Sequence, residues 1–136
     1  MISYPAIIHE ENNCFWAEFP DLEGCLIQED TFEQLKISCN KVLSSFLESL
    51  DSRKIKIPAP SNLSGNNIIY FTPNINIAFA ISLKQTREKL GWTQKELAEK
   101  AGLSWAVYQK IENPRRSNPT LSTVEKIQNA IGFSFL

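Results

Sequence analysis

Hydrophobic residues change period along this chain, and the change divides it in two. Residues 4–9 carry the β-branched pair Ile7 and Ile8 and end before the turn formers Asn12 and Asn13. Residues 14–19 then alternate, with Phe15, Ala17 and Phe19 on one side and Cys14, Trp16 and Glu18 on the other, the two-residue period of a strand. Pro20, Asp21 and Gly24 punctuate a loop, and residues 25–28 read as a third short strand. The period next becomes helical. Phe32, Leu35, Cys39, Val42, Leu43, Phe46, Leu47 and Leu50 recur at spacings of three and four, one apolar stripe on a helix of about five turns. Thr31 with Gln34 has the spacing of a capping box, and Asp30 is the alternative cap. A loop rich in Pro, Ser and Asn follows, then two β-like runs, 68–72 and 75–81, split by Pro73 and Asn74.

From residue 82 onward every segment reads as helix. Residues 82–90 form one, closed by Gly91. Thr93 and Glu96 make a Thr-x-x-Glu box that opens a second, and Ala101-Gly102-Leu103 is a turn. Ser104 caps a third helix over 105–112, a basic loop spans 113–119, and a last helix over 121–131 stops at Gly132. Leu83, Leu90, Leu97, Ala98, Leu103, Tyr108, Ile111, Leu121, Val124, Ile127 and Ile131 supply a common core. The pattern therefore predicts an α+β domain over residues 1–74, a small β-sheet with one long helix on one face. A connecting strand or linker over 75–81 leads to an all-α helix-turn-helix domain over 82–136. Nothing in the chain covers the second face or the edge of that sheet, which invites pairing with another chain.

Composition narrows the class. The 136 residues are 43% hydrophobic and 21% charged, as in soluble globular proteins. No apolar run approaches the ~20 residues of a membrane span, and the N-terminus lacks a basic segment of signal-peptide type. Cys14, Cys25 and Cys39 are an odd set without CxxC spacing, which fits reduced thiols in a cytoplasmic protein. His9 is the only histidine, so neither a metal site nor a cofactor is expected. The net charge of −1 conceals an asymmetry. Residues 1–60 carry five basic side chains against ten acidic, and residues 80–136 carry nine against five. An acidic half joined to a basic half suits two partners of opposite charge.

The third helix has an outer face made of Trp105, Ala106, Gln109 and Lys110, close to its start, where such helices meet base edges. Gln109 can pair with adenine, Lys110 can reach guanine or phosphate, and Ala106 with Trp105 can touch a thymine methyl. Gln94 and the helix-start amides beside it, together with Arg115 and Arg116, suit phosphate contacts. The alternatives are a packed or dimer-face Trp105 and a plain solvated face at Gln109 and Lys110. The sequence TQKELAEKAGLS followed by YQKIEN resembles the Cro/CI-type (XRE-type) helix-turn-helix family. That resemblance implies DNA contacts at Gln94, Ser104, Trp105, Ala106, Gln109 and Lys110. Where that family often has glycine after Glu-Asn, this chain has Pro114, which changes the loop that carries Arg115 and Arg116.

The first half holds Tyr4-Pro5-Ala6, an acidic turn, Trp16, the loop Phe19-Pro20-Asp21-Leu22-Glu23-Gly24-Cys25, Thr31 opening a helix, and Pro58 and Pro60 after it. In these features it resembles the HicB antitoxin family. The resemblance implies a partial RNase H-like fold without nuclease activity, which binds and masks HicA, a small mRNA-cleaving toxin that acts through a histidine. It also implies a C-terminal domain that represses the operon encoding both proteins, and no enzymatic activity; at least a homodimer is expected, because helix-turn-helix readers bind paired half-sites about one helical turn apart. Trp16, Glu18, Asp21 and Glu23 are the candidates for the toxin face, the alternative being a core tryptophan and ordinary solvated acids. A metal-dependent nuclease would need convergent carboxylates, and here they scatter over turns and a helix start. A stand-alone repressor with a ligand-sensing N-terminal domain is the second reading.

Overall fold

The computed structural model describes residues 1–132 and 134. It divides into two units, Ile2–Asn74 and Ile75–Leu136. The first contains β1 (Tyr4–Glu11), β2 (Cys14–Glu18), β3 (Leu26–Glu29), α1 (Phe32–Ser52) and β4 (Ile68–Phe71). The strands form one antiparallel sheet in the order β3-β2-β1-β4. Glu11 pairs with Cys14, so Asn12 and Asn13 alone make the β1–β2 turn. Their φ angles of 53° and 60° are both left-handed, the geometry of a type I′ hairpin that matches strand twist and that asparagine tolerates.

Register decides which side chains share a face. Ile8 lies opposite Ala17, Ala17 opposite Ile27, and Ala6 opposite Ile69. Tyr4, Ala6, Ala17, Ile27 and Phe71 thus point the same way, and all are buried. Helix α1 covers that face with Leu35, Cys39, Leu43, Leu47 and Leu50. The stripe is narrower than its sequence suggests. Val42 is exposed, and Phe32 and Phe46 are only partly buried, because a spacing of four along α1 already fills the contact with the sheet. Thr31 is the cap, its Oγ1 accepting from the Gln34 amide at 3.1 Å. Burial pushes the Cys25 thiol up to about 11, and burial together with the neighbouring Cys25 does the same to Cys39, so both stay protonated.

The segment after α1 is strapped to the sheet by polar contacts. Tyr4 Oη donates to the Pro58 carbonyl at 2.6 Å, and Tyr70 Oη accepts from the Leu63 amide at 2.7 Å. The Ser61 amide and hydroxyl both donate to Asp21 Oδ2, at 2.9 and 3.0 Å.

The second unit is helical: α2 (Ile75–Leu90), α3 (Gln94–Ala101), α4 (Trp105–Ile111) and α5 (Leu121–Ile131). The run 75–81, a strand by its sequence, is instead the first half of α2, and the unit begins at Ile75 rather than residue 82. Phe79 and Leu83, one helical turn apart, enter the same core, and alanines at 78 and 80 favour helix. Packing overrides the weak β preference of the isoleucines. Leu97, Ala98, Ala101, Tyr108, Ile111, Val124 and Ile127 complete that core, with Leu103 and Ile131 at its margin. Leu90 and Leu121, assigned to the core by pattern, are 40% and 79% exposed. Each sits at a helix end, last in α2 and first in α5, where the apolar stripe runs out.

The β1–β2 turn gives a direct test of register. Replacing both Asn12 and Asn13 with alanine is expected to destabilise the chain by about 1–2 kcal/mol, since alanine resists the left-handed region. Asn13→Gly should be neutral or slightly stabilising. Urea denaturation followed by circular dichroism reads both, and an unshifted midpoint in the double alanine variant would refute the turn.

Candidate functional site

Two helices and a turn build one candidate surface. Thr93 caps α3 through the Glu96 amide at 3.1 Å. Gly102 ends it with a φ of 69°, and the Leu103 amide donates back to the Ala98 carbonyl at 2.8 Å. Only a residue free of a Cβ makes this left-handed reversal at no steric cost, which turns the chain tightly into α4. Ser104 then caps α4, its Oγ accepting from the Val107 amide at 3.2 Å. Helix α4 buries Tyr108 and Ile111, and its other five side chains are exposed.

Four of the residues picked out in the sequence, Trp105, Ala106, Gln109 and Lys110, therefore stand together on the outer side of α4. Trp105 is not a core residue: it is 46% exposed, with Lys95 Nζ 4.5 Å from its ring centroid. Val107, 45% exposed, joins this surface unforeseen, because a seven-residue helix is too short for its burial period to be read from sequence. Ser104 is engaged as the cap. Gln94, picked out for phosphate, is half-buried and donates its side-chain amide inward to Glu112 at 3.2 Å.

Pro114 reshapes the loop in an orderly way. The Asn113 carbonyl accepts from the amides of Arg116 and Ser117 at 3.0 and 2.8 Å, and its Oδ1 accepts from Arg115 at 3.0 Å. Pro114 is buried in the first position of this turn, where its missing N–H is not needed. The turn leaves Arg115 and Arg116 exposed beyond α4.

Behind the surface lies a buried polar cluster that the sequence did not reveal. Glu112 is 4% exposed. It accepts from Arg87 Nη2 at 2.7 Å, Arg87 Nε at 2.9 Å, Tyr108 Oη at 2.6 Å and Gln94 Nε2 at 3.2 Å. Arg87 Nη1 also donates to the Trp92 carbonyl at 2.8 Å. Burial alone would raise the Glu112 pKa. The hydrogen bonds from Arg87, Tyr108 and Gln94 outweigh it and hold the carboxyl below the ordinary range. Hydrogen bonding to Glu112 raises Arg87, and burial first, then Glu112, raises Tyr108. One carboxylate thereby ties α2, α3 and the end of α4 together.

The other unit presents the sheet face opposite α1. Trp16 and Glu18 lie on it beside His9, whose ring stacks on Trp16 at 3.9 Å and whose Nε2 is 3.2 Å from Glu18 Oε1. A shallow groove of about 540 Å³ runs along Glu11, Cys14, Trp16, Leu26 and Gln28, and Leu26 is 62% exposed. Asp21 does not join them, because its carboxylate is held by Ser61; Glu23 is exposed on the same loop. Among the described residues, no three His, Cys, Asp or Glu side chains are placed to hold a metal ion, and no helix is long and apolar enough to cross a membrane.

Removing the central carboxylate should be costly. Glu112→Ala leaves the Tyr108 hydroxyl buried without its acceptor and strips Arg87 of all but its bond to the Trp92 carbonyl, and is expected to destabilise the helical unit by about 3–5 kcal/mol in urea denaturation. The depressed carboxyl pKa sets the sign of the pH dependence. Its stabilisation is complete above the unfolded value of about 4.3 and is lost as pH falls through the lower folded value. Urea midpoints between pH 6 and pH 2.5 should show this loss, and Glu112→Gln should flatten it.

Comparison with known proteins agrees with the helical geometry. Residues 83–136 match the helix-turn-helix family model. Antitoxin HipB of Escherichia coli (strain K12) is 40% identical over 55 residues, which cover 40% of this chain and 61% of that relative's length. Among solved structures, a chain of the HicA3 and HicB3 toxin-antitoxin complex aligns with a TM-score of 0.46 and 18% identity, covering 54% of this chain and 99% of its own. The hypothetical transcription factor NHTF from Neisseria aligns with a TM-score of 0.42 and 28% identity, covering 58% and 83%. Helices α3 and α4, joined through the turn at Gly102, thus form a helix-turn-helix, within a segment that is similar to the family of that name.

Proposed function

We propose that this chain is the antitoxin of a HicAB-type pair, acting in the cytoplasm by binding rather than catalysis. Its first unit binds and masks a small, basic, mRNA-cleaving toxin of the HicA kind, and its helix-turn-helix represses the operon encoding both. The observation that carries this reading is the union, on one chain, of a helix-turn-helix pair with an acidic unit whose sheet leaves His9, Trp16 and Glu18 part-exposed on the face opposite α1. The likeness of the helical segment to a protein named as an antitoxin supports it. At the operator, Gln109 hydrogen-bonds adenine, Lys110 meets guanine or phosphate, and Arg115 and Arg116 neutralise phosphates on the flank. Gln94 contributes from the α3 start through whatever capacity Glu112 leaves it. Two copies are required, because readers of this kind bind paired half-sites about one helical turn apart. At the toxin, Trp16 supplies apolar area, Glu18 and Glu23 supply charge, and Asp21 fixes the loop that carries Glu23.

A second reading has one observation in its favour. The groove along Glu11, Cys14, Trp16 and Gln28 has room for a small molecule, as a ligand-sensing repressor would require. That reading predicts a metabolite-dependent change in DNA affinity without a protein partner.

Two variants divide the labour. Gln109→Ala with Lys110→Ala should weaken binding to the operator upstream of the gene by roughly 1–3 kcal/mol per lost base contact, measured by fluorescence anisotropy. Neutralisation of the toxin should persist, and its loss would refute the separation of tasks. Trp16→Ala with Glu18→Lys should do the reverse, weakening toxin binding by about 2 kcal/mol or more while DNA binding stays intact. The antitoxin reading is abandoned if the native chain leaves the mRNA cleavage of a small basic protein encoded beside it unchanged.

A further inference from the structure

We infer that the toxin partner docks by adding a strand to β3, pairing with the backbone of Leu26 and Gln28 and laying basic side chains along the groove beside them. This rests on the antitoxin reading and goes further by naming the edge, the mode of docking and the chemistry of the docked segment. The hydrogen-bond phase of the sheet identifies the edge. In an antiparallel ladder, residues alternate between bonding the neighbouring strand and turning their N–H and C=O the other way. The Phe19 amide donates to the Cys25 carbonyl at 3.3 Å, in the same register that sets Ala17 opposite Ile27 and Phe15 opposite Glu29. Cys25, Ile27 and Glu29 therefore bond toward β2, and Leu26 and Gln28 turn their N–H and C=O out of the sheet. Strand β3 is terminal in the strand order, and among the described residues none bonds these outward groups. The opposite edge is less open. The Ile8 amide donates to the Asn67 carbonyl at 2.8 Å, which leaves Ile68 and Tyr70 facing outward on β4, and the Ile68 amide already donates to the Gly65 carbonyl at 3.3 Å.

The side chains suit a docked strand. Leu26 and Gln28 are exposed on the face away from α1, and the groove that includes Cys14 and Trp16 runs beside them. A strand added about 4.8 Å beyond β3 sets every second side chain over that face, so main-chain bonds supply affinity and the groove supplies selection. Charge chooses the occupant. Residues 1–35 carry eight acidic side chains and neither lysine nor arginine. Glu23, Glu29 and Asp30 flank the two outward residues. A second copy pairing β3 with β3 would set these acids against their own kind, and like charges across a sheet repel. The same acids thereby keep the edge from joining copies of itself. A strand bearing lysine or arginine meets them with opposite charge, and its long apolar stems can lie on Leu26 and Trp16.

The test reads the backbone directly. Amide hydrogen exchange is followed by NMR in the full-length chain, alone and saturated with the small basic protein encoded beside it. Alone, the Leu26 and Gln28 amides should exchange fast and the Ile27 amide, bonded to β2, slowly. In the complex the first two should slow by about tenfold or more. A second arm compares Gln28→Pro with Gln28→Ala. Proline removes the outward N–H, and an edge strand tolerates it there because no ladder bond is lost; alanine keeps the N–H. Proline should weaken partner binding about tenfold and alanine less than about twofold, with urea midpoints checking that both variants fold. The exchange arm decides whether or not the proline variant folds. Unchanged exchange at Leu26 and Gln28 in a formed complex overturns the inference and leaves the antitoxin reading standing. Equal binding by two folded variants overturns it as well. Protection of both amides in the free chain that rises with its concentration makes a second copy the occupant, and overturns it too. If the basic protein does not bind the native chain, the antitoxin reading itself fails, and this inference falls with it.

Discussion

The orientation of α4 depends on Glu112. That helix has only seven residues, too few to be stable alone, and only two of its side chains reach the core. Hydrophobic contact by Tyr108 and Ile111 fixes its inner side but leaves it free to pivot. The carboxylate at its C-terminal end removes that freedom by accepting two bonds from Arg87 and one each from Tyr108 and Gln94. Burying a carboxylate costs several kcal/mol unless its oxygens are satisfied, and a bidentate guanidinium satisfies them in a fixed plane. A displaced α4 would leave a buried charge without its partners. The cluster thus favours a single position of the helix, and with it the positions of Trp105, Ala106, Val107, Gln109 and Lys110. Gln94 shows the same economy, since its amide belongs to the support rather than wholly to the surface.

In the other unit the sheet register plays the corresponding part. The I′ turn at Asn12 and Asn13 locks Ile8 opposite Ala17, and from that pairing every side chain on β1 and β2 is committed to a face. One set meets α1 and is buried. The other, with His9, Trp16, Glu18 and Leu26, is left uncovered by α1. A slip of one residue would bury Glu18 and expose Ala17, so the turn protects the open face as much as the core. The strap at residues 58–63, held by Tyr4, Tyr70 and Asp21, ties down a Pro- and Asn-rich segment that has no secondary structure of its own.

Much of this was legible in the sequence because local physics determined it. The Asn12-Asn13 turn, the caps at Thr31, Thr93 and Ser104, the long helix after Thr31, and the reversal at Gly102 each follow from a few neighbouring residues. The outer grouping of Trp105, Ala106, Gln109 and Lys110 follows from helical period once Tyr108 and Ile111 are taken as core. The errors share a cause. Residues 75–81 carry isoleucines that favour strand locally, yet Phe79 and Leu83 are drawn to one core at helical spacing. Leu90, Leu121 and Val42 match the apolar period but lie where the opposing surface ends.

The sequence by itself determined which segments are strand or helix over most of the chain, where they start and stop, and the polar residues that face outward on α4, but not the exposure of Val107. Those properties depend on neighbours within about four positions, the reach of a hydrogen bond along a helix or a two-residue turn. The tertiary structure alone decided that Asp21 serves Ser61, that Gln94 turns inward, and that Arg87 meets Glu112 across 25 positions. Those pairings depend on distances through space between distant charges and on the desolvation of a carboxylate, and no local pattern encodes either.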